Sequence, residues 1–227
     1  MSEETKELTR AVIIELDFAA LNGAELLFQT AKKVFAAHGV ELTDKLEAMH
    51  LAGGSYQGAI AELYATLGKK GDAAKLAKEL DDAFKTVLAE KAPAAVDAQF
   101  KAFVKALVDK EVKVIVDTRA PVEAVAAALA PDFGEAVTVY AEPSLTYGSI
   151  KWDAWLRACR ANKVHQSLTV AVTGSGFGVR AALVAGLSAV AVQNKRTEYQ
   201  DFGGADAVVD KLDVKLVPEI LRALHLS

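Results

Sequence analysis

Five short apolar runs limit what this chain can fold into: AVIIEL (residues 11–16), VKVIVD (112–117), AVTVYA (136–141), LTVAVT (168–173) and SAVAV (188–192). Unbroken runs of β-branched and small residues belong to strands buried on both faces. Segments of helical period separate the last four: PVEAVAAALA, KWDAWLRACRANK and GVRAALVAGL. KLVPEILRALHL then reads as a closing helix. Strand and helix alternating at this spacing predict a three-layer α/β domain, a parallel sheet with helices on both faces.

The alternation breaks once. Residues 22–107 hold no strand pattern, only helical segments divided by His38-Gly39, by Gly53-Gly54-Ser55 and by the stretch from Gly68 to Gly71. Thr43 and Asp72 are expected N-caps, and Gly53-Gly54 is expected to end one helix with Ser55 capping the next. Pro93 is expected near the start of the last helix of the stretch, where proline is tolerated. The expected organisation is a core domain of residues 1–21 and 108–227, with an all-helical module of residues 22–107 inserted after the first strand.

With 227 residues and a formal charge of −4, the chain has no sequence-wide field that attracts nucleic acid or an anionic membrane. The single cysteine, Cys159, excludes an intrachain disulfide and is expected to pack as a small hydrophobe. MSEETKELTR does not resemble a signal peptide, and no apolar run reaches the ~18 residues of a membrane span. The expectation is a cytoplasmic protein with neither nucleic-acid nor membrane partners.

The turn Thr173-Gly174-Ser175-Gly176-Phe177-Gly178, between a strand and a helix, is the segment that most suggests a cofactor. A dinucleotide site needs G-x-G-x-x-G after the first strand and an acidic residue closing the next strand. Here the spacing is G-x-G-x-G, the strand is a late one, and the next ends in Gln193-Asn194. Glycines permitting a tight strand-to-helix turn are the better reading.

Read together with its surroundings, this segment resembles the haloacid dehalogenase-like superfamily, in its phosphatase and β-phosphoglucomutase-like branch. The resemblance rests on Gly148-Ser149-Ile150-Lys151-Trp152-Asp153 against G-K-P-x-P-D, and on Gly178-Val179-Arg180-Ala181-Ala182 with Ala185-Gly186 against G-hydrophobic-x-A-A-x-x-A-G. Phe202-Gly203-Gly204-Ala205-Asp206 stands against a late G-A-D stretch. It implies a Rossmann-like core with a helical cap.

The same resemblance implies four catalytic groups, and this sequence departs from each. The family's D-x-D-G-T reads Glu15-Leu16-Asp17-Phe18-Ala19, so the acid/base position survives as Asp17 while the nucleophile position holds Glu15. One extra methylene moves that carboxylate by about 1 Å, enough to cost roughly a hundredfold. Asp117 takes the place of the phosphate-binding hydroxyl, with Thr118 beside it. A carboxylate there repels a phosphoryl group by about 4 kcal/mol at 4 Å and effective dielectric 20. Ser149 stands at the lysine position, with Lys151 two residues on. Thr173 and Gly174 replace the acidic pair that supports Mg²⁺.

Losses at all four positions imply a pseudoenzyme that binds a small ligand or a protein partner, or pairs as a homodimer. The alternative is a divergent Mg²⁺-dependent phosphatase or phosphomutase acting on a small phosphorylated metabolite. Degenerate catalytic candidates are Glu15, Asp17, Asp117 and Lys151. Ligand-binding candidates are Ser149, Thr118, Thr173, Ser175 and Ser55. No cofactor is expected; Glu15 and Asp17 would hold a metal only if a cation binds, with Mg²⁺ belonging to the alternative. The clustered carboxylates Glu15, Asp17 and Asp117 should raise one another's pKa unless a metal, Arg119 or Lys151 relieves them. Trp152 and Trp155 read as core or interface anchors, and Lys195 and Arg196 as surface charges in a loop.

Overall fold

The computed structural model describes residues 9–51, 55–141 and 151–226. β1 (Ala11–Glu15) is buried along its whole length and runs directly into one helical turn, α1 (Leu16–Ala19). The chain leaves the sheet at Asn22, whose left-handed backbone (φ 54°) turns it away. The helical module follows: α2 (Gly23–Ala37), a short α3 (Asp44–Leu46) continuing as a π-helical turn over Glu47–Leu51, α4 (Tyr56–Thr66) and α5 (Ala73–Ala95). The remainder is α6 (Ala98–Val108), β2 (Lys113–Asp117), α7 (Val122–Phe133), β3 (Val137–Tyr140), α8 (Trp152–Ala161), β4 (Thr169–Thr173), α9 (Gly176–Val184), β5 (Ser188–Val192), β6 (Ala207–Val209) and α10 (Val217–Ala223).

The six strands among the described residues are all parallel, in the order β3-β2-β1-β4-β5-β6. β1 therefore lies between β2 and β4, and the winding reverses beside it. At such a point the carboxyl ends of the strands leave an open crevice. Alternate residues serve opposite faces. Val12 and Ile14 face a core shared with Phe103 of α6, Val125 of α7 and Ile220 of α10, whereas Ala11 and Ile13 pack with Trp155 of α8 and Val179 of α9. The expected three layers are present.

Turn chemistry places the module's helices as expected. Thr43, Ser55 and Asp72 each accept a backbone N–H three residues on, from Leu46, Gly58 and Lys75. Such caps contribute about 1 kcal/mol each. His38-Gly39 ends α2, with Gly39 at φ +68°. Gly53 and Gly54 lie outside the described residues.

Three expectations need correcting. Pro93 sits within α5, near its C-terminal end, and the next helix starts at Ala98 under an Asp97 cap. The helix tolerates it because the missing N–H would serve only the final turn. α6, assigned by the sequence to the inserted module, packs on β2, α7 and α10, with Phe100, Phe103, Val104 and Leu107 buried. A sixth strand, β6, extends the sheet beyond β5. Three residues carry too little pattern to read as a strand, and pairing with β5 makes it one.

Among the described residues no helix is long and apolar enough to cross a membrane. Cys159 and Trp155 are buried and Trp152 is exposed. One hydrophobic cluster runs without a break from the sheet through Phe18 and Ala19 into the module, where it takes in Leu27, Leu63, Leu80 and Phe84. Sheet domain and module should therefore unfold together. Both tryptophans lie on α8, so fluorescence follows the sheet domain while far-UV circular dichroism weights the helices. The two thermal melting curves are expected to coincide, and separated midpoints would show an independently folding module.

Candidate functional site

β1, β2 and β4 end side by side, and their last residues build the site. Glu15 closes β1 and is in register with Asp117 at the end of β2. Thr173 closes β4, and Asp17 follows two residues after Glu15 in α1. All four are buried, as is Thr118. The structure thus brings together Glu15, Asp17, Asp117, Thr118 and Thr173, as the sequence suggests.

The Glu15 and Asp17 carboxylates are held by the protein itself. Thr173 Oγ1 donates to Glu15 Oε2 at 2.6 Å, and the Gly174 N–H also donates to Glu15. Thr118 Oγ1 donates to Asp17 Oδ1 and the Arg119 backbone N–H to Asp17 Oδ2, both at 2.6 Å. The guanidinium of Arg119 acts on Glu15, Asp17 and Asp117 together and donates a hydrogen bond to Tyr56, at the start of α4. It also lies 5.0 Å from the centroid of the Phe18 ring. Burial opposes its charge, but Tyr56 and the three carboxylates outweigh that and raise its pKa. Arg119 is the cation in the cluster. The sequence names it only as one of three ways to relieve the acids.

Burial holds Glu15 up to a pKa of about 7, with Arg119 and Thr173 pulling against the shift and Asp17 adding a smaller push. Asp17 is also raised, again first by burial, against its bonds to Thr118 and Arg119. The cause thus differs from the expected mutual repulsion: desolvation leads, and carboxylate–carboxylate repulsion is secondary.

The Thr173–Gly178 turn is packed rather than open. Ser175 is buried and caps α9 by accepting the Gly178 N–H at 3.0 Å, and the Gly176 N–H goes to Gln200 Oε1 at 2.9 Å. A Cβ at Gly174 would stand 2.3 Å from the Phe18 carbonyl oxygen, and one at Gly178 would stand 2.1 Å from Thr173 Oγ1. Close approach of α1 and of the Thr173 side chain explains these two glycines.

The same geometry tests the Mg²⁺ that the resemblance implies. A magnesium site needs several oxygen ligands free to converge on the ion. Here the Glu15 and Asp17 oxygens accept the hydrogen bonds given above, the Arg119 charge already acts on the carboxylates, and Thr173-Gly174 adds no acid. A carboxylate could not stand at residue 174 without displacing α1. These residues do not fit a Mg²⁺ site.

Lys151 precedes α8 and is exposed. It lines a cleft of about 670 Å³ with Ser55, Tyr56, Gln57, Lys78 and Lys85. Among the described residues it makes no ion pair with Glu15, Asp17 or Asp117. Ser149 lies outside the described residues. Sequence reasoning missed Arg196: rather than a surface charge, its side chain is 19% exposed and pairs with Glu25 and Asp44 of the helical module. No local signal could reveal this, because its partners lie more than a hundred residues away.

No protein-family model and no curated protein matches the sequence. Solved structures match over nearly the whole chain. A β-phosphoglucomutase from Clostridium difficile aligns with a TM-score of 0.70 at 16% identity, covering 95% of this chain and 98% of its own. CbbY from Rhodobacter sphaeroides, in complex with phosphate, aligns at 0.65 and 21% identity, covering 92% and 96%. A predicted phosphoglycolate phosphatase from Haemophilus somnus aligns at 0.61 and 14% identity, covering 93% and 97%. At these identities the likeness shows the fold: a haloacid dehalogenase-like core with a helical cap, as the sequence resemblance implies.

Two outcomes test the site. An unfolded glutamate titrates near 4.5 and folded Glu15 near 7, so between these values only the folded state keeps the proton. Stability should therefore fall as pH rises through that window, by up to about 1.4 kcal/mol per pH unit. Glu47, which burial likewise raises to about 7, adds a slope of the same sign. Urea denaturation of Glu15→Gln should show a shallower fall than the parent, and equal slopes would refute the assignment. Gly174→Ala should cost about 1–3 kcal/mol by forcing α1 away from the turn.

Proposed function

We propose that this chain, built on the haloacid dehalogenase-like fold, does not transfer phosphoryl groups and acts as a binding or interaction protein. The observation that carries the reading is that the Glu15 and Asp17 oxygens are taken up from within, by Thr173, Thr118 and the Arg119 backbone N–H, while the Arg119 charge acts on Glu15, Asp17 and Asp117 and its side chain bonds Tyr56 of the cap. Phosphoryl transfer needs a deprotonated carboxylate free to attack and room for the phosphoryl oxygens. Glu15 offers neither: it is buried, its Oε2 accepts from Thr173 Oγ1, and burial raises its pKa to about 7.

A small anionic ligand suits the cleft between cap and core. Lys78 and Lys85 reach it but are paired with Asp82 and Asp81 at 2.6 Å. Lys151 has no ion-pair partner among the described residues and supplies the charge, with Tyr56 and Gln57 offering hydrogen bonds.

A second reading, a divergent Mg²⁺-dependent phosphatase or phosphomutase acting on a small phosphorylated metabolite, draws on the names of the similar structures. It draws also on Asp17 beside Thr118 at the strand ends. It requires Arg119 to withdraw from the carboxylates when substrate enters.

An aryl phosphate assay with and without Mg²⁺ separates the two. The first reading expects no Mg²⁺-dependent release above the protein-free rate in the parent chain. Turnover that disappears in both Glu15→Gln and Asp17→Asn would overturn it in favour of the second. By calorimetry, inorganic phosphate is expected to bind the parent chain and to bind Lys151→Ala about tenfold more weakly, a change of about 1.4 kcal/mol.

A further inference from the structure

Arg196 belongs to the loop after β5 in the core, yet its side chain reaches two helices of the cap. Its Nε donates to Glu25 Oε2 on α2 at 2.6 Å, and its Nη1 pairs with Asp44 of α3. The guanidinium carbon lies 3.6 Å from the centroid of the Phe28 ring on α2. Glu47, buried in the π-helical turn, adds a third carboxylate facing the same charge. One planar cation thus engages two acids through its fork while stacking on an aromatic face, a combination a lysine cannot reproduce.

The loop is built to hold that arginine still. The Arg196 N–H donates to Asn194 Oδ1 at 2.8 Å, and Thr197 N–H donates to the Asn194 carbonyl at 2.9 Å. Thr197 is buried and its Oγ1 accepts the Asn194 N–H at 3.1 Å. On the cap side, Gln29 donates to Glu25 Oε1 at 2.6 Å and fixes that carboxylate. The Arg196 loop and Glu25 are thus fixed by bonds of their own, which lowers the side-chain entropy lost in making that pair.

The connection between cap and core supplies the reason for such a contact. The cap departs at Asn22, with its left-handed backbone, and returns through Val96 and Asp97 at the start of α6. The Arg119–Tyr56 bond and the Phe18–Phe84 ring contact, 6.2 Å between centroids, join cap and core beside the strand ends. Arg196 grips the first cap helix close to the hinge.

We propose that Arg196 is a latch that pins the cap to the core, so that the two move as one body in the resting protein. The latch does not rest on the absence of turnover, since an active enzyme could carry it equally, and its test reads motion rather than activity.

Amide hydrogen exchange on the full chain provides that test. In the parent protein the first turn of α2, where Glu25 N–H and Leu26 N–H bond the Asn22 carbonyl, should exchange slowly. In Arg196→Ala these amides and those of α3 should exchange about tenfold faster or more, while strand amides such as Ile13 and Val172 stay within about threefold. Arg196→Lys should fall between the two. Glu25→Ala with Asp44→Ala should reproduce most of the effect, and Arg196→Ala added to that pair should add clearly less than it does in the parent. Unchanged exchange in α2, uniform acceleration across the strands, or simple additivity of the acid and arginine changes would each overturn the latch.

Discussion

Carboxylates enclosed at the ends of parallel strands are unstable neighbours unless a cation joins them, and in this protein Arg119 is that cation. Its place follows from the register of β1 and β2, which sets Glu15 opposite Asp117 and leaves the chain emerging from β2 directly above Asp17. The backbone of Arg119 binds Asp17, its charge acts on all three acids, and Thr118 and Thr173 take up further lone pairs. Phe18 then packs beneath the guanidinium and Gly174 makes room for α1. Each of these features is intelligible once the acids are neutralised from within.

The same solution couples the two parts of the fold. Arg119 reaches from core to Tyr56 of the cap, and Arg196 reaches from core to Glu25 and Asp44 of the cap. Between them Phe18 meets Phe84, and the apolar cluster passes through the seam. An exposed ion pair alone holds little. Here the arginines are largely withdrawn from water, stack on aromatic rings and meet ordered partners, so the pairs act together with the apolar contact.

Much of this was legible in the residues. Unbroken β-branched runs identified five strands to within a residue, because burial on both faces leaves no polar positions to blur the pattern. Thr43, Ser55 and Asp72 announced helix starts because capping is a local interaction. Glu15, Asp17, Asp117 and Thr173 could be grouped because all lie at or next to the carboxyl ends of strands in one parallel sheet. Pro93 misled because less than one more turn follows it, so the helix loses a single intrahelical bond there and still continues to Ala95. β6 was silent because its strand character comes from pairing with β5.

By itself the sequence determined the α/β class and the helical insertion, since these depend on local pattern and residue type. Only the tertiary structure decided how the acids are neutralised, that burial raises Glu15 more than repulsion does, and that α6 packs with the sheet. It alone turned Arg196 from a loop charge into a contact between cap and core. Those outcomes depend on desolvation and on partners far apart in the chain, and neither quantity exists until the strands are in register and the cap is seated.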